Sequence, residues 1–198
     1  MTTEKTSGKI FPQATLILAA LNFAVFALVF AGQSAEVLHT WGLVPGRFLT
    51  DIKSAEPLIV ATAWITPITS LFLHELDWQH VVYNMVAFLL FAPAVEKRLG
   101  TWRFVGLYLT TGLAANAFFV SMVSDGRFES IGASAAVCGV LGAYMLLFFK
   151  TRWLKALVPL SILCLTIRGV LETDPAVIRV TGFTHWMHLA GFAIGAIV

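Results

Sequence analysis

SIGASAAVCGVLGAYMLLFF, the stretch from Ser130 to Phe149, runs for twenty residues without a charged side chain. As an α-helix with a rise of about 1.5 Å per residue, it would cross a bilayer core of about 30 Å. Four further uncharged apolar runs are spaced along the 198-residue chain: Phe11–Ala35, His80–Val95, Phe104–Ser124 and Val180–Val198. A fifth, Trp153–Leu171, carries Lys155 and Arg168 near its ends, where long side chains can reach the interface. The sequence therefore predicts an all-α, polytopic membrane protein with six spanning helices.

The composition favours the same class of protein. Hydrophobic residues make up 58% of the chain and charged residues 12%, about half the charged fraction of an average soluble domain. A mean hydropathy of +0.83 would leave a soluble monomer covered in apolar surface, whereas a helix bundle in lipid requires such a surface. The net charge of +2 is too small to indicate a nucleic-acid partner. The lipid bilayer is the predicted partner instead.

The connection between the first and second spans is much longer than the others and extends from about residue 32 to 79. Its segment Pro57–Leu73 is uncharged but interrupted by Pro67 and three threonines. We expect this segment to lie in or dip into the bilayer rather than to form a seventh span. No internal repeat divides the chain, which predicts a single membrane domain over residues 1–198 with a short cytoplasmic segment at 1–10.

Charge is distributed unequally between the two sets of connections. Those on the side of the N-terminus carry eight basic residues against two acidic ones, whereas the opposite connections carry five basic residues against nine acidic ones. Because positively charged loops stay in the cytoplasm, both termini are predicted to be cytoplasmic. The run Phe11–Ala35 has no identifiable cleavage site after it, and we interpret it as a retained helix rather than a signal peptide.

A few polar side chains stand inside the apolar runs, where they are costly enough to indicate a functional site. His80 and Asn84 are four residues apart in the second span, so they share one helical face. Ser134 lies near the outer end of the fourth span, and His188 near the outer end of the sixth. These residues fall at a similar depth on three helices, as one buried site would require.

Each of these residues also has a structural interpretation. Serine in a membrane helix commonly bonds to its own backbone, and His80 with Asn84 would form polar contacts between helices worth about 1 kcal/mol per bond. His188 precedes Gly191 and Gly195 by one and two turns, a pattern also typical of close helix packing. A serine, a histidine and a second polar pair at one depth nevertheless favour a functional site.

The two cysteines, Cys138 and Cys164, both lie within apolar runs. Two cysteines without clustered histidines do not make a metal site, and we interpret both as small buried thiols. No metal and no other cofactor is predicted.

From Thr69 to Gly195 the sequence resembles the six-helix core of the rhomboid proteases, most closely their bacterial members. Four motifs in the family's order carry the resemblance: His80-Val-Val-Tyr-Asn84 in the second helix, Val95-Glu-Lys-Arg-Leu-Gly100 after it, Gly132-Ala-Ser-Ala135 at the start of the fourth, and His188 with Gly191 and Gly195 in the sixth. Each motif is weak alone, and their order and spacing together are specific.

The resemblance implies an intramembrane serine endopeptidase with a Ser–His dyad and no carboxylate. Ser134 would be the nucleophile and His188 the general base, with His185 as a rival base. His80 and Asn84 would stabilise the oxyanion together with backbone N–H groups.

The resemblance also implies how the site is built and what it acts on. Gly132, Gly191 and Gly195 would support the close packing that brings the dyad together. Substrates would be single-span membrane proteins, entering laterally and cut in or near their transmembrane segments, with the connection around Glu172–Gly182 acting as a lid. The protein is expected to be a multi-pass protein of the cell membrane, which the resemblance implies is the bacterial cytoplasmic membrane. Its active site is expected to open to the non-cytoplasmic side.

Two positions depart from the family pattern. Ala135 replaces the last glycine of Gly-x-Ser-Gly, where its methyl group can crowd the oxyanion pocket, and Cys138 replaces an aromatic residue that commonly packs on the catalytic imidazole. Three alternatives therefore stay open: a catalytically inactive rhomboid-like protein that binds membrane segments for quality control or trafficking, a small transporter or channel, and a cysteine protease built on Cys138. A transporter would place charged pairs at mid-span, which these runs lack.

Overall fold

The computed structural model describes residues 12–148 and 175–197, with side chains from residue 185 onward in the second range. The predicted fifth span, Cys164 and residues 172–174 of the predicted lid lie outside the described residues. The described helices are α1 (Gln13–Gly32), α2 (Ala35–Trp41), α3 (Pro45–Asp51), α4 (Pro57–Thr69), α5 (Trp78–Leu99), α6 (Thr101–Met122), α7 (Ser134–Phe148) and α8 (Pro175–Gly195).

Three of these helices are long and apolar enough to cross a membrane: α1 with 20 residues, and α5 and α6 with 22 each. They match the first three predicted spans. The 21-residue helix α8 matches the sixth, although it begins at Pro175 rather than Val180, since proline is well suited to the first turn of a helix. The described chain is therefore that of an all-helical, polytopic membrane protein, while the count of six spans and the side of the termini stay predictions.

Helix α7 begins at Ser134, not at Ser130 as the uncharged run predicts. The preceding residues form an extended segment, because Ser130 exchanges two backbone hydrogen bonds with Leu43, at 3.2 and 2.8 Å, and the N–H of Gly132 donates to the Ser70 carbonyl at 2.9 Å. Gly132 adopts a φ of +119°, which favours glycine. Hydropathy does not distinguish such a segment from a helix, since both are equally apolar.

Helix α7 packs against α5, α6 and α8. Its contact with α8 is made by small residues: a Cβ added at Gly191 would collide with the carbonyl oxygen of Ala135, and one at Gly195 with that of Gly139. Close backbone approach of this kind is how helices gain packing energy in lipid, where apolar surface alone does not drive them together. The structure places both Gly191 and Gly195 in this contact.

A buried carboxylate anchors the N-terminus of α1 to α5. Glu96 is fully buried, at 0% exposure. Its oxygens accept hydrogen bonds of 2.8–3.1 Å from the N–H groups of Ala14 and Thr15 and from the hydroxyls of Thr15 and Thr101. A carboxylate at this position satisfies donors that have no partner inside the helix and complements the helix dipole.

The long first connection folds into the short helices α2, α3 and α4. Arg47 of α3 ties this helix to the end of α2 by donating to three backbone carbonyls, those of His39, Thr40 and Gly42. With 13 residues, α4 is too short to span a bilayer, and it exposes Leu58 and Trp64 by 78% and 60%. Exposed apolar side chains suit contact with lipid, and the position of α4 in the bilayer stays a prediction.

Candidate active site

Ser134 and His188 meet across the contact between α7 and α8. The Nε2 atom of His188 lies 2.7 Å from the Oγ of Ser134, a strong hydrogen-bond distance. In the tautomer that leaves a lone pair on Nε2, the hydroxyl donates to the imidazole, which is the arrangement that activates a serine nucleophile. His185 also has its ring near His188, with centroids 6.1 Å apart, but it is His188 that reaches the serine.

The start of α7 supplies backbone donors beside the nucleophile. Ser134 is the first residue of the helix, so the N–H groups of its first turn have no carbonyl partner within the helix. The N–H of Val137 bonds to the carbonyl of Ala133 at 2.9 Å and begins the regular pattern. The earlier N–H groups and the positive end of the helix dipole suit a developing oxyanion.

His80 and Asn84 of α5 line the same cavity as Ser134, and His80 lies beside Gly132 in the segment that precedes the serine. The Nε2 of His80 is 3.0 Å from the position that a Cβ would take at Gly132, so this glycine leaves room for the imidazole ring. Asn84 is 8% exposed and donates one amide hydrogen to the His80 carbonyl at 3.0 Å, which leaves the second for a group in the cavity.

One cavity of about 370 Å³ joins these groups, being lined by Ser134, His188, His80 and Asn84. Its apolar walls include Phe119 and Met187, and two carboxylates, Glu75 and Glu129, also line it. The size is that of a small ligand site. A nucleophile, a base and several hydrogen-bond donors thus surround one space, a combination suited to acyl transfer.

The two departures from the family pattern occupy different places. Ala135 lines the cavity and packs in a cluster with Ala115, Phe119 and Met187, so its methyl group forms part of the cavity wall beside the nucleophile. Cys138, one turn further into α7, is not among the residues that line the cavity. A cysteine nucleophile at that position therefore gains no support.

Asn116 of α6 belongs to the site although our sequence reasoning missed it. It is 2% exposed and donates to the carbonyl of Pro67 at 2.8 Å and the hydroxyl of Ser70 at 3.0 Å. It also accepts a hydrogen bond of 3.2 Å from the hydroxyl of Ser130. Asn116 thereby ties the long first connection to the segment before the nucleophile. The sequence signal is an amide within an otherwise apolar span.

Comparison with known proteins groups the chain with one family. The model of the Rhomboid domain matches residues 61–198. YdcA of Bacillus subtilis, named as a candidate rhomboid protease, is 31% identical over 142 residues, which cover 71% of this chain and 65% of YdcA. The mitochondrial Rhomboid protein 1 of Saccharomyces cerevisiae is 31% identical over 140 residues, covering 68% of this chain and 39% of its own. The rhomboid protease GluP of Bacillus subtilis is 28% identical over 155 residues, which cover 75% of this chain and 28% of GluP. The chain thus spans less than two thirds of the length of each of these relatives.

Proposed function

The chain belongs to the rhomboid family, and on that premise we propose that it is an intramembrane serine endopeptidase that cuts membrane proteins in or near their transmembrane segments. The observation that carries the proposal is the 2.7 Å distance between His188 Nε2 and Ser134 Oγ. The two residues are 54 positions apart, so their meeting depends on the fold of the whole bundle. Family membership supports the reaction class, and the cavity that Ser134, His188, His80 and Asn84 line together supports the position of the site.

The reaction follows from the groups around the cavity. The Oγ of Ser134 attacks the carbonyl carbon of the scissile peptide while Nε2 of His188 takes its proton. The carbonyl oxygen becomes an oxyanion, which His80, Asn84 and the first N–H groups of α7 stabilise. His188 then gives the proton to the leaving amine, and an acyl-enzyme remains on Ser134. Water, activated by the same imidazole, hydrolyses this ester and restores the serine.

We expect single-span membrane proteins as substrates on the resemblance to the rhomboid proteases. The connections on the side of the Ser134 end of α7 carry five basic residues, against eight on the opposite side. Since the side poorer in lysine and arginine is the non-cytoplasmic one, this supports an opening toward the non-cytoplasmic side. The protein would therefore act as a multi-pass protein of the cell membrane, the bacterial cytoplasmic membrane being the address we propose.

Labelling with a fluorophosphonate probe in detergent tests for an activated serine. Wild type is compared with Ser134→Ala, His188→Ala and His185→Ala, and with Ser121→Ala as a matched control, since the Ser121 hydroxyl bonds only to the carbonyl of Phe118 among described residues. We expect labelling of wild type, His185→Ala and Ser121→Ala, and none of the other two. A folded wild type that does not label, beside a rhomboid protease that does, would favour the inactive, segment-binding alternative.

A further inference from the structure

His74 is a buried titratable residue for which the proposed reaction has no role. It is 1% exposed and lies in the connection between α4 and α5. Its ring packs edge to face on the ring of His80, with centroids 5.0 Å apart and planes at 74°. Each of these two rings has one buried nitrogen without a hydrogen-bond partner in the described structure: Nε2 of His74 and Nδ1 of His80. An unmade bond of this kind costs about 1–3 kcal/mol, which points to a use for the pair.

The position of the hydrogen on His74 follows from its other contact. Its Nδ1 lies 3.3 Å from the carbonyl oxygen of Phe72, and since a carbonyl only accepts, Nδ1 carries the hydrogen. Burial and the neighbouring His80 lower the pKa of His74 to about 4, so its ring is neutral near pH 7. A neutral ring with hydrogen on Nδ1 has its lone pair on Nε2. His74 therefore presents a buried acceptor beside His80.

His80 has a buried ring nitrogen, Nδ1, that can supply the matching hydrogen-bond donor. Its Nε2 lies beside Gly132, so Nδ1 is the nitrogen left for another partner, and in the described structure it makes no hydrogen bond. Because the ring centroids are 5.0 Å apart, a rotation of the rings would bring Nδ1 of His80 within hydrogen-bond distance of Nε2 of His74. If Nδ1 of His80 keeps its hydrogen for His74, then a hydrogen on Nε2 as well makes His80 an imidazolium. The other described charged or titratable groups that interact with it are Glu75, Asp77 and His188.

Building on the proposed function, we propose that His74 is a positioning residue for His80. When the rings rotate so that the two unpaired nitrogens meet, His74 accepts the Nδ1 hydrogen of His80, and His80 meets the oxyanion as an imidazolium with its Nε2–H toward the substrate oxygen. The second proton comes from solvent in the cavity as the oxyanion forms and returns to solvent when the carbonyl is restored. A charged donor forms a hydrogen bond roughly twice as strong as a neutral one, which is the benefit to the reaction.

Substitution of His74 by asparagine or glutamine distinguishes the roles of its two ring nitrogens, because each variant carries the same amide group at a different position. The amide of His74→Asn reaches the place of Nδ1 and keeps the bond to Phe72, whereas the amide of His74→Gln reaches the place of Nε2 and keeps an acceptor for His80. We expect His74→Asn to lower kcat for a single-span substrate about tenfold at unchanged KM, and His74→Gln to keep most of kcat. Equal effects of the two substitutions, with both proteins folded by thermal melting, would overturn the proposal.

A double-mutant cycle distinguishes positioning from general support of the fold. If His74 acts through His80, then His74→Asn has no further effect on kcat once His80 is replaced by alanine. The same tenfold loss in the His80→Ala background would show a structural role and overturn the proposal.

Nitrogen-15 spectra of histidine-labelled protein test the pair without any catalysis, with the His80 signals identified by their loss in His80→Ala. We expect hydrogen on Nδ1 of His80 in wild type and His74→Gln, and its loss from Nδ1 in His74→Asn. A wild type with hydrogen on Nε2 alone would overturn the inference. A wild type with hydrogen on Nδ1 that cleaves nothing would support the histidine pair and count against the proposed function instead.

Discussion

One added methyl group at Gly191 tests whether the close approach of α8 to α7 builds the dyad. In Gly191→Ala the new Cβ would overlap the carbonyl oxygen of Ala135, a backbone atom that cannot rotate away. The two helices must separate locally by about 1 Å to restore an ordinary van der Waals contact. His188 lies almost one turn before Gly191 on the same helix and moves with it.

The magnitude follows from the dyad distance. The contact of 2.7 Å between His188 and Ser134 would lengthen beyond the range of a hydrogen bond. A misplacement of about 1 Å in reacting groups costs on the order of a hundredfold in rate, or about 2.7 kcal/mol of activation free energy. We therefore expect Gly191→Ala to lower both kcat/KM for a single-span substrate and the rate of fluorophosphonate labelling about a hundredfold.

Gly106→Ala is the matched control, because a Cβ at Gly106 of α6 meets nothing within 4 Å. It should react at the wild-type rate and gain up to about 1 kcal/mol of stability from better helix propensity. Thermal melting in detergent shows whether each variant is folded. A folded Gly191→Ala protein that labels as fast as wild type would refute the view that the glycine contact sets the dyad.

Three further predictions concern stability. Glu96→Ala should lower the free energy of unfolding by about 3 kcal/mol or more, because it leaves buried donors of α1 unpaired. Its thermal midpoint in detergent should fall well below that of the control Glu56→Ala, which removes an exposed carboxylate. Equal midpoints would contradict this prediction. Asn116→Leu should slow labelling about tenfold and lower the midpoint, since it removes the bonds that hold Ser130 to the first connection; unchanged labelling would show that this segment holds its place without them. Burial lowers the pKa of His74 from 6.5 to about 4, so the unfolded chain binds more protons than the folded one between these values and stability falls as the pH drops through this window. When the thermal midpoint is measured as a function of pH, that of His74→Gln should fall less than that of wild type over this range. Parallel falls in the two proteins would count against a buried neutral His74.

The uncharged apolar runs predicted α1, α5 and α6, since Phe11–Ala35, His80–Val95 and Phe104–Ser124 overlap these three helices over most of their length. The start of α7 could not be predicted in this way, because the bonds that keep Ser130 and Gly132 extended come from Leu43 and Ser70, far away in the sequence. The three short helices of the first connection escaped for a similar reason. The bonds from Arg47 that tie α3 to the end of α2, for example, go to backbone carbonyls, which leaves no periodic pattern in the sequence.

The residues of the candidate site also fall into those that the sequence predicted and those that it did not. Ser134, His188, His80 and Asn84 could be chosen from the sequence because polar groups are conspicuous in apolar spans and match family motifs, and the structure brings these four residues to one cavity. Their roles stay predictions until tested. Asn116 was missed because, although it too is a polar group in an apolar span, it belongs to none of these motifs, and its partner Pro67 is 49 positions away. His74 was missed because it lies in a connection, where a histidine is unremarkable until its burial is known.

We propose above all that this protein cuts membrane proteins with Ser134 and His188. The most direct measurement is to reconstitute purified protein with a single-span substrate in liposomes and to determine the fragment masses. We predict one or a few cuts within or beside the transmembrane segment by wild type and none by Ser134→Ala or His188→Ala. Substrate left intact by folded wild type, or the same fragments produced by Ser134→Ala, would contradict the account.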